Sequence, residues 1–387
     1  MRPEQLLADK LRAARLAAAM SEDKAEQMLG LAPGWISVIE AGDAELTLPM
    51  ALAQSRLYGV ELAELVEEVE DLPVISARRL VAEDSDNDTT VVHFPYGRYD
   101  AQFILKNSTA DSVMQWEANF RAAMASTSSA AGNQLSDRVA DAYLDSLSRW
   151  PKANPAELWA FLVQQAYLDP YNHPPGSIAD LSQSWVRTGG WALEKVFVRY
   201  YGPTMKKHDI LLEIPRGDRK KKLIEQVKIT HGANPHKVDV FVVGRLRDST
   251  GTVEREVVFG IAHVKASLAE RRSDDQPLSE RVIQAGMESL FLTLDAKASP
   301  SPRPTCHGEY GDPRPKKLVG PDPRSEKRRE VESEGAFSGC FSWNTNTRPT
   351  PDWQRAAVKT PIEVVAFEPT GAFVDHLVEA WQRFRLS

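Results

Sequence analysis

Two apolar runs, KVDVFVVG at 237–244 and VVFGIAHVKAS at 257–267, constrain this chain more than any other feature. Both are short and rich in Val, Phe and Ile, and both end in charged or turn residues. That pattern marks strands suited to a protein core. The segment between them, RLRDSTGTVERE, is charged and built around Ser249-Thr250-Gly251, so the pair reads as a hairpin. Upstream, LSQSWVRTGGWALEKVFVRYYG reads as an amphipathic helix; downstream, LSERVIQAGMESLFLTLDAK reads as helix, glycine and a further strand. The order helix, strand, strand, helix, strand predicts a mixed α/β domain. IEVVAF and FVDHLVEAWQRFRLS add a strand and a closing amphipathic helix.

Lys265 at the end of the second run needs an explanation, because a buried ammonium is costly unless it is paired or has a chemical role. Asp239 sits near the start of the first run, and a hairpin brings such ends side by side. Glu194, on the preceding helix, can approach from behind. Two or three carboxylates with one lysine suit metal-dependent phosphodiester hydrolysis. The acids hold Mg²⁺, the ion polarises the phosphate, and the lysine orients a water and offsets charge on phosphorus. The plainer alternative is a lysine whose stem runs off a strand edge into solvent.

The first 70 residues have a different character. EQLLADKLRAARLAAAM, SEDKAEQMLGL, APGWISVIEAG, LPMALAQSRLYGV and ELAELVEEVE read as short helices, with Ser21 as an N-cap and Gly30 and Gly42 as stops. They hold 6 Lys/Arg against 13 Asp/Glu, a balance of −7 that equals the charge of the whole chain, so the remainder is neutral. A neutral domain can still present a basic cleft, and the net charge does not exclude nucleic acid. Between these parts, EDSDNDTT reads as a solvated acidic loop, TTVVHFPYGRYDAQFILK as short strands, and ASTSSAAGNQ as a linker, with helix resuming from Leu135. SPSPRPTCHGEYGDPRPKKLVGPDPRSEKRRE reads as a mobile Pro-rich loop. Asn344, Asn346 and Arg348 lie in a further Pro-rich segment and are candidates for touching DNA.

Cys306 and Cys340 make no disulfide framework, no run approaches a membrane span, and no secretory leader opens the chain. A cytoplasmic protein with no membrane partner is expected. Cys306-His307 has no CxxC or HxxxH to complete a zinc site.

The segment LRAARLAAAMSEDKAEQMLGLAPGWISVIEAGDAELTLPMALAQSRLYGV resembles the Cro/C1 repressor-type (XRE) helix-turn-helix family. The resemblance implies a reading helix over Pro33–Glu40, which here carries no Arg or Lys and offers only Trp35 and Ser37 outward. Affinity for duplex DNA comes largely from cations on phosphates, so a docking or dimerisation module is the equal alternative.

Asp239 followed by the strand ending His263-Val264-Lys265 resembles the PD-(D/E)XK nuclease core, with His263 standing where an acid is expected. The block KASLAERRSDD, LSERVIQAG and CFSWNTNTRPTP is similar to type II restriction endonucleases of the BsaWI group, over roughly 180–355. The resemblance implies that the missing acid is displaced to a downstream helix, where Glu280 is best placed and Glu270 and Glu288 compete. His263 would then stand behind the metal or orient a water, since imidazole is a poor Mg²⁺ ligand. It also implies base reading by Arg271, Arg272 and Asp274, with Ser267 and Glu270 beside them, at a CCGG-containing site.

A multidomain chain follows. Residues 1–70 are expected as an all-α helix-turn-helix domain, 71–150 as a connecting region with short strands and a helix. Residues 151–387 are expected as an α/β catalytic domain whose mixed sheet is flanked by helices. The expected protein is a Mg²⁺-dependent homodimeric endonuclease acting on double-stranded DNA, with a DNA methyltransferase as genetic partner. The alternatives are a modification-dependent endonuclease and a regulator that binds DNA without cutting it.

Overall fold

A computed structural model of the protein describes residues 3–41, 46, 48–65, 81–85, 88–96, 99–125, 132–163, 181–227, 237–267, 272–296, 306–315, 322, 324–334 and 337–386. The chain divides into two compact units, Met1–Arg79 and Leu80–Ser387.

The described elements of the first unit are helices: α1 (Pro3–Ala17), α2 (Glu22–Leu29), α3 (Trp35–Glu40) and α4 (Leu48–Tyr58). Ser21 caps α2 through Lys24 N, and Gly30 ends it in the left-handed region at φ 68°, which favours glycine. Leu11, Ala25, Ile36, Ile39 and Tyr58 form the apolar centre. Two buried polar contacts fix the helix angles. Arg15 makes a fork to Glu40 at 2.6 and 2.7 Å, joining α1 to α3, and the Glu26 carboxylate accepts from Ile36 N at 3.0 Å. Gly42 and the end of ELAELVEEVE lie outside the described residues.

The second unit opens with an antiparallel meander, β1 (Val81–Ser85), β2 (Thr89–Tyr96) and β3 (Tyr99–Lys106). Much of EDSDNDTT, expected as a loop, is therefore strand, with Glu83 opposite Val91 and Ser85 opposite Thr89. An edge strand tolerates this acidity because one face meets solvent. Helices α5 (Ala110–Ala125), α6 (Gly132–Arg149), α7 (Pro155–Phe161) and α8 (Leu181–Lys207) follow. Asn154 caps α7 through Ala156 N with Pro155 at its start. Residues 80–150 do not stand apart as a connection: Phe94, Phe103, Trp116, Tyr143 and Trp150 share one apolar core with α8 and the large sheet.

That sheet orders, among the described residues, as β4 (Ile210–Glu213), β5 (Val240–Arg247), β6 (Val253–Lys265), β7 (Glu288–Thr293), β8 (Gly339–Ser342) and β9 (Ile362–Val364). β4, β5 and β6 pair antiparallel; β6 through β9 pair parallel. Helix α9 (Gly217–Val227) follows β4, and α10 (Arg272–Gln284) joins β6 to β7. The short α11 (Glu326–Arg329) and α12 (Asp352–Arg355) flank β8, and α13 (Ala372–Leu386) closes the chain.

The sheet is covered on both sides, which is why its strands read as unbroken apolar runs. Val240, Val242, Phe259, Ala262 and Val264 face the core shared with α8 and α13. Phe241, Val243, Val258 and Ile261 face Leu223 and Val227 of α9 and Leu278 and Val282 of α10. Removing the fully buried Phe259 side chain would cost about 3–5 kcal/mol. Gly244 of β5 is required by packing, because a Cβ there would fall 2.1 Å from the Trp381 ring of α13. β6 carries a bulge where the register shifts between Val242 and Val243, a device that re-aims strand ends near sites.

The Pro-rich stretch expected as mobile is anchored where it is described. Tyr310 and Arg328 are buried, and Ser325 caps α11 while donating to Tyr310 O. No described helix is long and apolar enough to cross a membrane.

Candidate active site

The bulged hairpin aims its two strand ends at one place. Val240 pairs with Ala262, so Asp239 lies level with His263. Asp239 Oδ2 accepts from Val264 N and from Lys265 Nζ, both at 2.9 Å. Along β6, Val264 faces the α8 core, so Lys265 faces the other side, where α10 lies. Asp275 of α10 stands 3.3 Å from Lys265 Nζ through Oδ2 and 3.6 Å from His263 Nδ1 through Oδ1. Burial alone would depress the lysine, but Asp239 and Asp275 outweigh it and hold its pKa above the ordinary value. Burial likewise opposes the Asp275 charge, and His263 and Lys265 reverse that, keeping its pKa low.

Glu194 reaches the sheet end from α8. Burial first, and the Asp239 charge second, push its carboxyl up to about 8 against the pull of Lys265, Lys220 and Lys195. Glu194 and Asp239 line a cavity of about 590 Å³ together with Trp191, Arg216, Lys220 and Lys237.

The structure thus brings Asp239, Lys265 and Glu194 into one region, and joins Asp275 to them where Glu280 had been expected. Glu280 is exposed and accepts from Gln276 at 3.3 Å. The two acids are five residues apart, about 140° around a helix of 3.6 residues per turn, so one helix cannot present both to Lys265. Glu288 is engaged at the other end of β7 by His376 and Arg383. His263 is fully buried and lies behind Asp275, with neither ring nitrogen in a hydrogen bond among the described residues, so it is not placed to orient a solvent water.

Ser267 is half-buried just beyond β6. Arg272 and Asp274 lie on the first turn of α10, and their side chains are outside what is described, as are Glu270 and Arg271 altogether. Asn344 corrects its expectation: it is fully buried, donating to Asp295 O at 2.9 Å and accepting from Asn154 Nδ2 at 2.9 Å. Its polarity serves the loop, because a buried amide must be bonded internally. Asn346 donates to Cys306 O at 2.9 Å, while Arg348 is exposed beside Asp312 at 2.7 Å. Trp35 and Ser37 are exposed on α3, as their spacing predicts.

Sequence reasoning missed Asp275 and the basic lining of the cavity. A signal existed for both: the second Asp of RRSDD, and the run DRKKK at 218–222. Among the described residues no group of three or more His, Cys, Asp or Glu is assembled as a metal cluster.

No family model matches the chain. It is 34% identical over 214 residues to the type II restriction enzyme AgeI of Thalassovita gelatinovora, covering 55% of this chain and 73% of that protein. The crystal structure of a specific AgeI–DNA complex superposes with a TM-score of 0.59 at 28% identity, over 75% of this chain and 99% of the other. A pre-specific BsaWI–DNA complex gives a TM-score of 0.35 at 16% identity, over 64% and 84%, which is too distant to carry an argument.

Proposed function

The chain belongs to the type II restriction enzymes, site-specific deoxyribonucleases, and on that premise we propose that it hydrolyses double-stranded DNA at the Lys265 cluster with Mg²⁺ as cofactor. The observation that carries this reading is the meeting of Asp239, Asp275 and Lys265 at the adjoining ends of β5, β6 and α10, with Glu194 across the cavity.

The residues fit a divalent ion. Both bonds to Asp239 fall on Oδ2, leaving Oδ1 without a bond among the described residues, and Glu194 is held neutral only by burial and the Asp239 charge. Mg²⁺ binds through one or two carboxylates and completes its shell with waters and phosphate oxygens, so two acids suffice. Bound there, the ion would polarise the phosphate and acidify a water. Glu194 must give up its proton to take part. Lys265, held charged between Asp239 and Asp275, is positioned to orient the attacking water and to offset charge developing on phosphorus. Asp275 replaces Glu280 as the displaced acid of this reading, and His263 supports it from within the core.

Base reading is assigned to the segment after Lys265: Ser267, Glu270, Arg271, Arg272 and Asp274, with guanines for the arginines and a cytosine amino group for the carboxylate. A CCGG-containing site is the proposed target. Arg348, exposed and paired with Asp312, is proposed as a DNA contact. Cutting both strands of a palindrome requires two active sites, hence a homodimer. A protective DNA methyltransferase would accompany the enzyme in phage defence. Buried free thiols at Cys306 and Cys340 support a cytoplasmic setting. The first unit is proposed as an XRE-type helix-turn-helix that docks or dimerises, since α3 offers Trp35 and Ser37 but no cation.

The test is digestion of unmodified and CpG-methylated plasmid DNA with Mg²⁺, beside Lys265→Ala. Discrete fragments that vanish in the variant support the reading. Cutting of methylated DNA alone would make it modification-dependent, and gel shifts without cutting by the wild type would make it a regulator.

A further inference from the structure

The cavity beside Glu194 gathers cations as well as carboxylates, and its cations come from two elements that converge. Lys220 stands near the start of α9 and Arg216 in the turn just before it, and both line the cavity. Lys237 lies two residues before Asp239 on the approach to β5 and lines the same cavity. The neighbouring basic residues of α9 are turned elsewhere. Arg219 pairs with Glu213 at 2.5 Å and Glu256 at 2.8 Å, and Lys221 with Asp218 at 3.3 Å. Lys195 of α8 lines the same wall.

Arg216, Lys220 and Lys237 are therefore brought into one concavity. Acids and cations line the same walls and can share one ligand. An extended polyanion answers that arrangement: one phosphate at the carboxylates through a metal, and its neighbour among the cations.

We infer that this cavity is a second phosphate-binding site, in which Arg216, Lys220 and Lys237 hold the backbone phosphate next to the scissile one on the cut strand. The inference rests on the nuclease reading above. It makes these three cations positioning residues, since gripping the flanking phosphate fixes the scissile one in line with Lys265.

The experiment pairs a chemical change in DNA with a change in the protein. A duplex is selected from random sequence by binding to the full chain with Ca²⁺ in place of Mg²⁺, so that its choice does not depend on cleavage. Single uncharged methylphosphonates are then placed along each strand. Binding of wild type, Lys220→Gln, Lys237→Gln and Lys220→Arg is measured across a salt series. One methylphosphonate beside the scissile position should weaken wild-type binding about tenfold, and Lys220→Gln should weaken binding to unmodified DNA to a similar degree. Together they should cost no more than either alone. Lys237→Gln should map to the same phosphate, Lys220→Arg should restore binding, and each neutral variant should lower the salt slope by about one.

Losses that add at every position, or no sensitive position, would overturn the inference even if the wild type cuts DNA. Non-additive coupling in a protein that binds DNA and never cuts it would keep the phosphate site and remove the nuclease reading instead.

Discussion

Two buried charge clusters in the second unit make opposite use of similar residues. In the first, Arg328 and Glu332 have no exposed surface and every charge is met. Arg328 donates to Glu332 Oε1 at 2.8 Å, to Tyr310 O at 3.2 Å and to Arg348 O. Glu332 also accepts from Thr350 Oγ1 at 2.8 Å, Arg324 Nη1 at 3.0 Å and Gln354 Nε2 at 3.2 Å. In the second, at Lys265, Glu194 must hold a proton to remain, and both His263 nitrogens and Asp275 Oδ2 lack a hydrogen bond among the described residues. The Arg328 cluster satisfies its buried charges internally, because each orphan costs about 1–3 kcal/mol. Of the residues named in it, only the neutral Gln354 leaves a buried atom, Oε1, without a hydrogen bond among the described residues. The Lys265 cluster leaves its orphans inside the fold, which carries their cost, and turns only the Asp239 and Glu194 carboxyls to the cavity, the arrangement the proposed chemistry needs.

The comparison breaks first at Lys265. Lys265→Ala should lower cleavage about 10³-fold or more, the scale of removing a group that stabilises developing charge. Its urea midpoint should move little, because Asp239 borders the cavity and can rehydrate, and Asp275 keeps His263 beside it. If Lys265→Ala unfolds the protein instead, the cluster is structural and the contrast fails.

Glu332→Ala should do the reverse. It leaves Arg328 charged and unpaired in the core, and should cost about 3–5 kcal/mol in urea unfolding. Cleavage per folded molecule should be kept. A loss of activity without a loss of stability would mean that this cluster also belongs to the site.

Asp275→Asn and Glu280→Gln sharpen the choice of acid. The first should cut cleavage about 10²-fold, and the second should leave it within about twofold, since Glu280 is an exposed side chain without an ion pair among the described residues. The opposite order would restore Glu280 as the displaced acid.

Asp295 offers the smallest effect, through pH. It is buried after β7, accepting from Glu309 N at 2.6 Å and Thr347 Oγ1 at 2.7 Å, and burial pushes its pKa up to about 7 despite those bonds. Because the folded state holds a proton that the unfolded chain releases near 4, this group makes stability fall as pH rises from about 4 to about 7, and no further above that. Asp295→Asn keeps the shape and cannot titrate, so the urea midpoint should depend less on pH across that window. An unchanged slope would show that Asp295 is ionised throughout.

Much of the site was legible before folding because it lies in strands. Short unbroken apolar runs joined by a charged turn admit few placements, and a hairpin aligns their ends, so Asp239 and Lys265 could be paired from residues alone. Glu194 was readable for a related reason: α8 has one apolar face, and Glu194 sits at its border, next to the buried Leu193 and Ala192. Asn344 was misread because a polar residue in a Pro-rich loop looks solvated, and only the packing of α7 and the turn after β7 encloses it.

By itself the sequence determined the covered sheet, its helices and the pairing of one acid with one lysine, since these follow from local periodicity and the reach of a tight turn. It could not decide which of several acids completes the pair. That depends on the angle at which α10 docks on the sheet, and a rotation of about 140° separates Asp275 from Glu280. Nor could it place Arg216, Lys220 and Lys237 beside Glu194. Those side chains come from α8, α9 with the turn before it, and the entry to β5, and they meet only because the two faces of one sheet bring distant segments to a common end.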